Sequence, residues 1–240
     1  MARQGHLSLR FLDFRSLILS AVGKILREGV SLEGLSLMNA FILGGGKSTR
    51  MKADKTFLEF NGKRLIDITI ACASGLFRKV YLVGREYAHP LLAGSFGDAV
   101  EGIGPLGGIY RALQITETEY NFFVGTDYPY ITRDLILHIA SKLTETSSHY
   151  DGCIPVTPDG LHPLFAFYGK ACLDAVKRCI ASGDYRVRCI GRHSRILLLP
   201  LVESLDGDRL SLAQKSLVNI NSYDDYLRLK GQSADWENTI

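Results

Sequence analysis

The sequence predicts an α/β fold in three layers, with a mainly parallel sheet covered by helices on both faces. Three observations predict it. From Asn39 onward short apolar runs alternate with longer amphipathic ones, the order expected when strands and helices follow one another along the chain. The apolar runs are continuous rather than interleaved with polar residues, as strands buried on both faces read. Glycines and charged residues gather just after two of those runs, where the functional groups of such folds collect.

The first 37 residues stand apart. Leu9, Phe11, Leu12, Leu17, Ile18, Leu19, Val22, Ile25 and Leu26 suit one amphipathic helix that ends near Glu28-Gly29. Asp13 and Arg15 interrupt the apolar stretch, which argues against a secretory leader. The expectation is an extension over 1–37, with Met38 as an alternative start, then a domain over 38–230 and a tail over 231–240.

The first strand is expected at 39–43, where Ala40-Phe41-Ile42-Leu43 is unbroken and apolar. A helix at 64–76 follows, then a strand at 79–83, Lys-Val-Tyr-Leu-Val, whose β-branched and aromatic residues suit a pleated surface. A helix at 106–116 leads to a strand at 121–125, Asn-Phe-Phe-Val-Gly. Helix 132–145, strand 152–156, helix 169–182 and strand 196–200 continue the alternation, and a helix at 222–229 closes it. Cys172 and Cys179 fall at helical spacing with Leu173 and Val176 and read as core residues.

Composition narrows the partners. A net charge of +3, with 46% hydrophobic and 22% charged residues, describes a globular chain of 240 residues, enough for one substantial core or at most two small domains. The mildly basic balance suits an anionic small molecule and argues against nucleic acid, which demands a concentrated basic face. No segment reaches the ~18 apolar residues of a membrane span. The five cysteines contain no C-x-x-C pair, so neither a disulfide framework nor a zinc site is indicated, and a reducing cytoplasm is the expected home. His89 and His138 have no partner at metal-ligand spacing and read as structural.

The chemistry starts at FILGGGKSTRMKADK, residues 41–55. It is not a Walker loop, because the position that needs the first glycine is Phe41, inside the strand. It is not a dinucleotide fingerprint either, because Thr49 stands where the third glycine packs the helix. What remains is a strand running into three glycines, then cations and hydroxyls, which suits an anion through inward backbone N–H groups and positive charge. Asp127 follows the third expected strand in Gly125-Thr126-Asp127-Tyr128-Pro129, where a carboxylate can hold phosphate-bound magnesium; it reads equally well as a turn residue or helix cap. Gly102-Ile103-Gly104-Pro105-Leu106-Gly107-Gly108 permits close backbone approach to a ligand, or simply enters a helix. Asn219-Ile220-Asn221-Ser222 sets two amides ahead of a helix that Asn221 or Ser222 can cap. The cluster Arg186, Arg188, Arg192 and Arg195 reads either as a solvated face or as a group of which at least one residue meets substrate phosphate.

Taken in order, Leu43-Gly44-Gly45-Gly46-x-Ser48-x-Arg50-Met51-x-x-Asp54-Lys55, Gly104-Pro105-Leu106-Gly107-Gly108-Ile109, Thr126-Asp127-Tyr128-Pro129-Tyr130-Ile131, His162-Pro163 ahead of an apolar strand, and Asn219-Ile220-Asn221 resemble molybdenum cofactor guanylyltransferases of the MobA type. The resemblance spans about 38–229. It implies a Rossmann-like nucleotidyltransferase fold and transfer of GMP from GTP to the terminal phosphate of molybdopterin, or Mo-molybdopterin, with loss of pyrophosphate. Leu43, Gly45, Gly46 and Ser48 would line the GTP site, with Arg50 and Lys55 facing the triphosphate and Lys55 at the α-phosphate. Asp127 would coordinate Mg²⁺, with Asn219 or Asn221 completing its shell. Glu101, with Asp98 as another candidate, would be the acidic residue before Gly-Pro-Leu, and His162 and Arg186 would face the pterin. Molybdenum cofactor insertion proteins or molybdoenzymes are the implied protein partners. The chain departs from the family in Gly44, usually alanine, in Lys52, usually glycine, and in Gly84-Arg85, where members carry an asparagine that reads guanine. Two other readings stay open: a relative that uses CTP or another phosphorylated acceptor, and a nucleotide-binding protein without catalysis.

Overall fold

The computed structural model describes residues 32–45 and 55–236; the helix expected within 9–26, and residues 46–54, lie outside the described residues. A short helix, α1 (Leu32–Leu35), precedes β1 (Asn39–Leu43). Leu35 is fully buried in the main core cluster beside Met38, so the chain joins the core before residue 38. A 3₁₀ turn (Lys55–Phe57) then leads to a hairpin of β2 (Glu59–Phe60) and β3 (Lys63–Arg64). Its tip, Asn61-Gly62, has positive φ at both residues, as a two-residue primed turn requires.

α2 (Leu65–Ala73) buries Leu65, Ile66, Ile70 and Ala73. It stops sooner than the expected residue 76 because Gly75 adopts φ +81, the left-handed conformation that ends helices. β4 (Lys79–Val83), β5 (Gly94–Phe96), α3 (Pro105–Ile115), β6 (Tyr120–Gly125) and α4 (Arg133–Glu145) follow. Next come β7 (Gly152–Thr157), β8 (Gly160–Leu161), β9 (Phe165–Gly169) and α5 (Leu173–Ala181). After a 3₁₀ segment (Val187–Arg192), the described chain ends with β10 (Ile196–Pro200), α6 (Leu201–Ser204), α7 (Gly207–Ser216) and α8 (Tyr223–Trp236).

The main sheet runs β10-β7-β9-β6-β1-β4-β5, with β8 paired to β7. β1 pairs in parallel with both β4 and β6, and β9 runs antiparallel between β6 and β7. All five expected strands are present. β5 and β8 were not among them, β9 is the apolar strand expected after His162-Pro163, and the helix expected at 169–182 begins only at Leu173, because Gly169 closes β9 and Lys170–Cys172 form a 3₁₀ turn. The direction of β9 follows from its connection: residues 158–164 are too few for the crossover of a dozen or more that a parallel partner needs. α6 and α7 were also unexpected, and α8 continues past residue 229 into the expected tail.

Strand residues alternate between two cores. Ala40, Ile42, Phe122, Val124 and Phe167 pack with Ile66 and Ile70 of α2 and Leu135, Ile136 and Ile139 of α4. Phe41, Leu43, Phe123 and Tyr168 pack with Leu106, Ile109 and Leu113 of α3 and Val176 of α5. Helices on both faces explain the unbroken apolar runs. The chain builds outward from β1 to β4 and β5, then returns to place β6 on the other side of β1. That reversal opens a crevice beyond the carboxyl ends of β1 and β6, the usual ligand position in such sheets.

Candidate active site

The crevice is built first from backbone. Gly44 N–H donates to Val83 C=O at 2.9 Å and Gly84 N–H to Phe96 C=O at 2.8 Å, so the exits of β1, β4 and β5 stay in register past the strands. Gly45 and Gly84 then touch main chain to main chain. A Cβ on Gly45 would stand 2.9 Å from Gly84 Cα, and one on Gly84, which has φ +98, would stand 2.5 Å from Gly45 N. Real Cβ atoms essentially never come within 3.0 Å of another heavy atom, so both positions require glycine as the backbone stands.

Asp98 closes this ring. Its carboxylate oxygens lie 3.3 to 3.4 Å from where Cβ atoms of Gly45, Gly84 and Gly108 would be. Burial, followed by the nearby Glu101 charge, pushes the Asp98 carboxyl above its usual range. Glu101 itself is exposed. Of the two acidic candidates, then, the structure brings Asp98 to the glycines and leaves Glu101 on the surface of the loop. The signal that distinguishes them is tertiary, since both simply precede Gly104-Pro105 in sequence.

Two glycines of the Gly-Pro-Leu-Gly-Gly stretch have internal packing reasons. A Cβ on Gly107 would meet Val100 O at 2.6 Å, and one on Gly108 would meet Leu43 Cδ2 at 2.9 Å. Gly104, at φ +64, caps α3 ahead of Pro105 in its first turn. These contacts dock α3 against β1 and carry its N-terminus to the Asp98 side of the ring.

Asp127 stands on the neighbouring strand tip. Its Oδ1 folds back over Gly125, where any Cβ would collide with it. Ile220 N–H donates to Asp127 C=O at 2.8 Å, which fastens Asn219 and Asn221 to the same turn, and Asn221 Nδ2 donates to Asn219 Oδ1 at 2.9 Å. The helix that follows is capped by Ser222: Asp225 N–H donates to Ser222 Oγ at 3.1 Å while Ser222 N–H donates to Asp225 Oδ2 at 2.9 Å, a reciprocal capping box. That arrangement, with the backbone bond, holds Asp225 below the usual carboxylate range and leaves the capping to Ser222 rather than to the Asn221 side chain.

His162 reaches the same rim because Gly125 N–H donates to Leu164 C=O at 2.9 Å. Its Nε2 shares a 2.8 Å hydrogen bond with Thr157 Oγ1, and burial lowers the ring's pKa, partly opposed by Asp159. Arg186 belongs to a separate charged cluster after α5. Its Nε and Nη2 each donate to Asp184 at 2.7 Å, and Arg192 Nη1 donates to the same carboxylate at 3.0 Å. The pairing, with Arg186 first, holds Asp184 well below the usual carboxylate range.

Sequence reasoning did not assign a role to Arg85. Its Nε donates to Gly44 C=O and its guanidinium lies 5.3 Å from the Phe57 ring centroid, so a cation is fixed beside the first glycine of the loop. Phe57 in turn meets Tyr87 at 5.7 Å. Beyond them a groove of about 440 Å³ opens toward the sheet edge between Tyr87, His89, Pro90, Leu92 and Ser95, its tyrosine hydroxyl already donating to Asp67 at 2.9 Å. Gly46, Ser48 and Arg50 lie outside the described residues, as does the side chain of Lys55, whose backbone opens the 3₁₀ turn before β2. No described helix is long and apolar enough to cross a membrane.

The family model of the MobA-like NTP transferase domain matches residues 40–197. A probable molybdenum cofactor guanylyltransferase of Peptoclostridium acidaminophilum is 34% identical over 157 residues, 63% of this chain and 71% of that protein. One of Flavobacterium johnsoniae is 29% identical and covers 80% of this chain and 95% of its own length. The crystal structure of molybdopterin-guanine dinucleotide biosynthesis protein A from Archaeoglobus fulgidus shares the fold, with a TM-score of 0.67, 24% identity, and coverage of 82% of this chain and all of that one.

Proposed function

The chain belongs to the MobA-like NTP transferase family and is a nucleotidyltransferase of molybdenum cofactor guanylylation, and on that premise we propose that it transfers GMP from GTP to the terminal phosphate of molybdopterin or Mo-molybdopterin, releasing pyrophosphate. The observation that carries this reading is the crevice at the carboxyl ends of β1 and β6, floored by the Gly45–Gly84 contact and flanked by the Asp98 and Asp127 carboxylates. In the proposed step an oxygen of the pterin's terminal phosphate bonds to the α-phosphorus of GTP. The bond from that phosphorus to the bridging oxygen of the β-phosphate breaks, and pyrophosphate leaves with the electron pair. A phosphate nucleophile is already ionised at neutral pH, so neither a strong general base nor a covalent enzyme intermediate is required.

Leu43, Gly45, Gly46 and Ser48 line the nucleotide in this reading. Arg50 and Lys55 face the triphosphate, with Lys55 offsetting charge that develops at the α-phosphate. Asp98 takes the guanine edge: a carboxylate accepts from both N1–H and the 2-amino group, a donor pair that cytosine lacks. Asp127 with the Asn219 and Asn221 amides offers oxygen donors only, a set that fits hard Mg²⁺ shared with substrate phosphates. Bound there, Mg²⁺ supplies neutralisation of phosphate charge. His162 and Arg186 face the acceptor.

Pyrophosphate release measured with each of the four nucleotides, with and without pterin acceptor, tests the reading. Release is expected with GTP and acceptor together, and Asp127→Asn should reduce it to background with an unchanged melting temperature. Release with CTP alone would remove the guanylyl assignment, and nucleotide binding without release would leave a binding protein. Full activity of Asp127→Asn at ordinary magnesium would remove the metal role.

A further inference from the structure

The core on the α3 and α5 face holds two cysteines that meet a histidine. Cys179 lies in the last turn of α5 and Cys189 in the 3₁₀ segment Val187–Arg192, and both are buried. His193 follows immediately and is exposed, its N–H donating to Ile190 C=O at 3.0 Å. The two thiol sulfurs and a ring nitrogen of His193 all lie within 4.8 Å of one another. Among the described residues this is the one group of three metal-ligating side chains drawn so close together. The sequence has no C-x-x-C pair because one cysteine comes from a helix end and the other from the segment that folds back beneath it. That return is held by Asp184 N–H donating to Cys179 C=O at 3.1 Å and Cys189 N–H to Arg186 C=O at 2.8 Å.

We propose that Cys179, Cys189 and His193 form a site for a borderline-soft divalent cation, Zn²⁺, with a fourth position open to water on the exposed His193 side. Tetrahedral zinc at about 2.3 Å from sulfur and about 2.0 Å from nitrogen spaces sulfurs about 3.8 Å apart and sulfur from nitrogen about 3.5 Å. Closing the observed cluster onto an ion therefore takes at most about 1.3 Å of movement, within reach of the exposed histidine ring. Charge also balances. Binding displaces one proton from each thiol, and two thiolates with a neutral imidazole cancel the dication, so no net charge is left in the core. Asp184, whose charge acts on Cys179, does not compete as a ligand, because Arg186 and Arg192 already hold it. A metal here would fix the turn that carries Arg186, a site chemically separate from the oxygen donors around Asp127.

The test is Co²⁺ titration of the full chain, freed of metal by chelator and kept reduced, in the absence of nucleotide. A sulfur-to-cobalt charge-transfer band should saturate at one ion per chain, vanish on adding Zn²⁺, and persist in Cys72→Ser. It should be lost in Cys189→Ser. His193 is exposed, so His193→Ala should fold even if the cysteine variant does not, and should weaken Co²⁺ binding tenfold or more. A charge-transfer band absent while all thiols titrate as free would overturn the proposal in favour of two ordinary core cysteines, and a band of unchanged affinity in His193→Ala would overturn it by removing the histidine from the site.

Discussion

Replacing Gly84 by alanine should damage the crevice through two separable effects. The backbone at Gly84 has φ +98 and the new Cβ would stand 2.5 Å from Gly45 N. An alanine held at such φ costs about 1–3 kcal/mol, and forcing atoms into an occupied space typically costs about 1–3 kcal/mol more. The sum, about 2–6 kcal/mol, corresponds to a fall in melting temperature of between about 4 and 24 °C for a domain of roughly 200 residues. Three neighbours separate the terms. Gly97 has nothing within 4 Å and no positive φ, so its alanine variant should stay within about 0.5 kcal/mol of the parent. Gly102 has φ +80 and nothing within 4 Å, and reports the backbone term alone. Gly45 has an ordinary φ and a 2.9 Å contact, and reports packing alone. Denaturation by urea, with pyrophosphate release measured on each variant, provides the comparison. Gly84→Ala should also lose turnover, since a displacement of about 1 Å at a reacting site can cost on the order of 10²-fold. A Gly84→Ala variant no less stable than Gly102→Ala would refute the claim that the β1 and β4 exits are locked against each other.

Lys55→Ala should lose turnover by roughly 10²-fold or more, as when one preorganised charge-stabilising group is removed; a change confined to melting temperature would make the lysine structural. Leu35 is fully buried among the main core residues, so Leu35→Ala should cost about 2–5 kcal/mol, and a chain starting at Met38 should be destabilised at least as much. A Met38 chain as stable as the whole would show that α1 contributes nothing. Stability should also depend on mildly acidic pH. Burial first, then the Lys142 and Arg209 charges, lower His138 to about 4, with Glu145 opposing, while its Nε2 meets Ser204 Oγ at 3.0 Å. The unfolded chain then takes up a proton before the folded one, so stability should be full above about pH 6.5 and fall as pH drops toward about 4. His162, also lowered by burial, adds to the same slope. Urea melts of His138→Gln between pH 7.5 and 4.5 should show a shallower loss, and an unchanged slope would remove His138 as its source.

Much of the site could be read along the chain because its residues sit at places that local chemistry marks. Asp127 follows five buried residues of β6, and glycines 44 and 45 follow β1, so identifying the strands located both tips of the crevice. The capping role of Ser222 was likewise local, a hydroxyl three residues before an acid. The choice between Asp98 and Glu101 was not local, because both are carboxylates in one loop. Only the approach of Gly45, Gly84 and Gly108 selects one.

By itself the sequence determined the five strands of the initial alternation, their burial on both faces and the order of the motifs, since continuous apolar runs have no stable place except between two helical layers. Tertiary structure decided the rest. β9, Phe-Ala-Phe-Tyr-Gly, reads like the parallel strands of the sheet, and its reversed direction comes from a connection too short to cross the sheet. Arg85 acquires its place from Gly44 and Phe57, and Cys179 meets Cys189 and His193 only where the chain after α5 turns back. In each case the partners are distant in sequence or come from separate elements. Periodicity records which face of an element is buried, while the identity of the atoms across that face depends on how the elements pack.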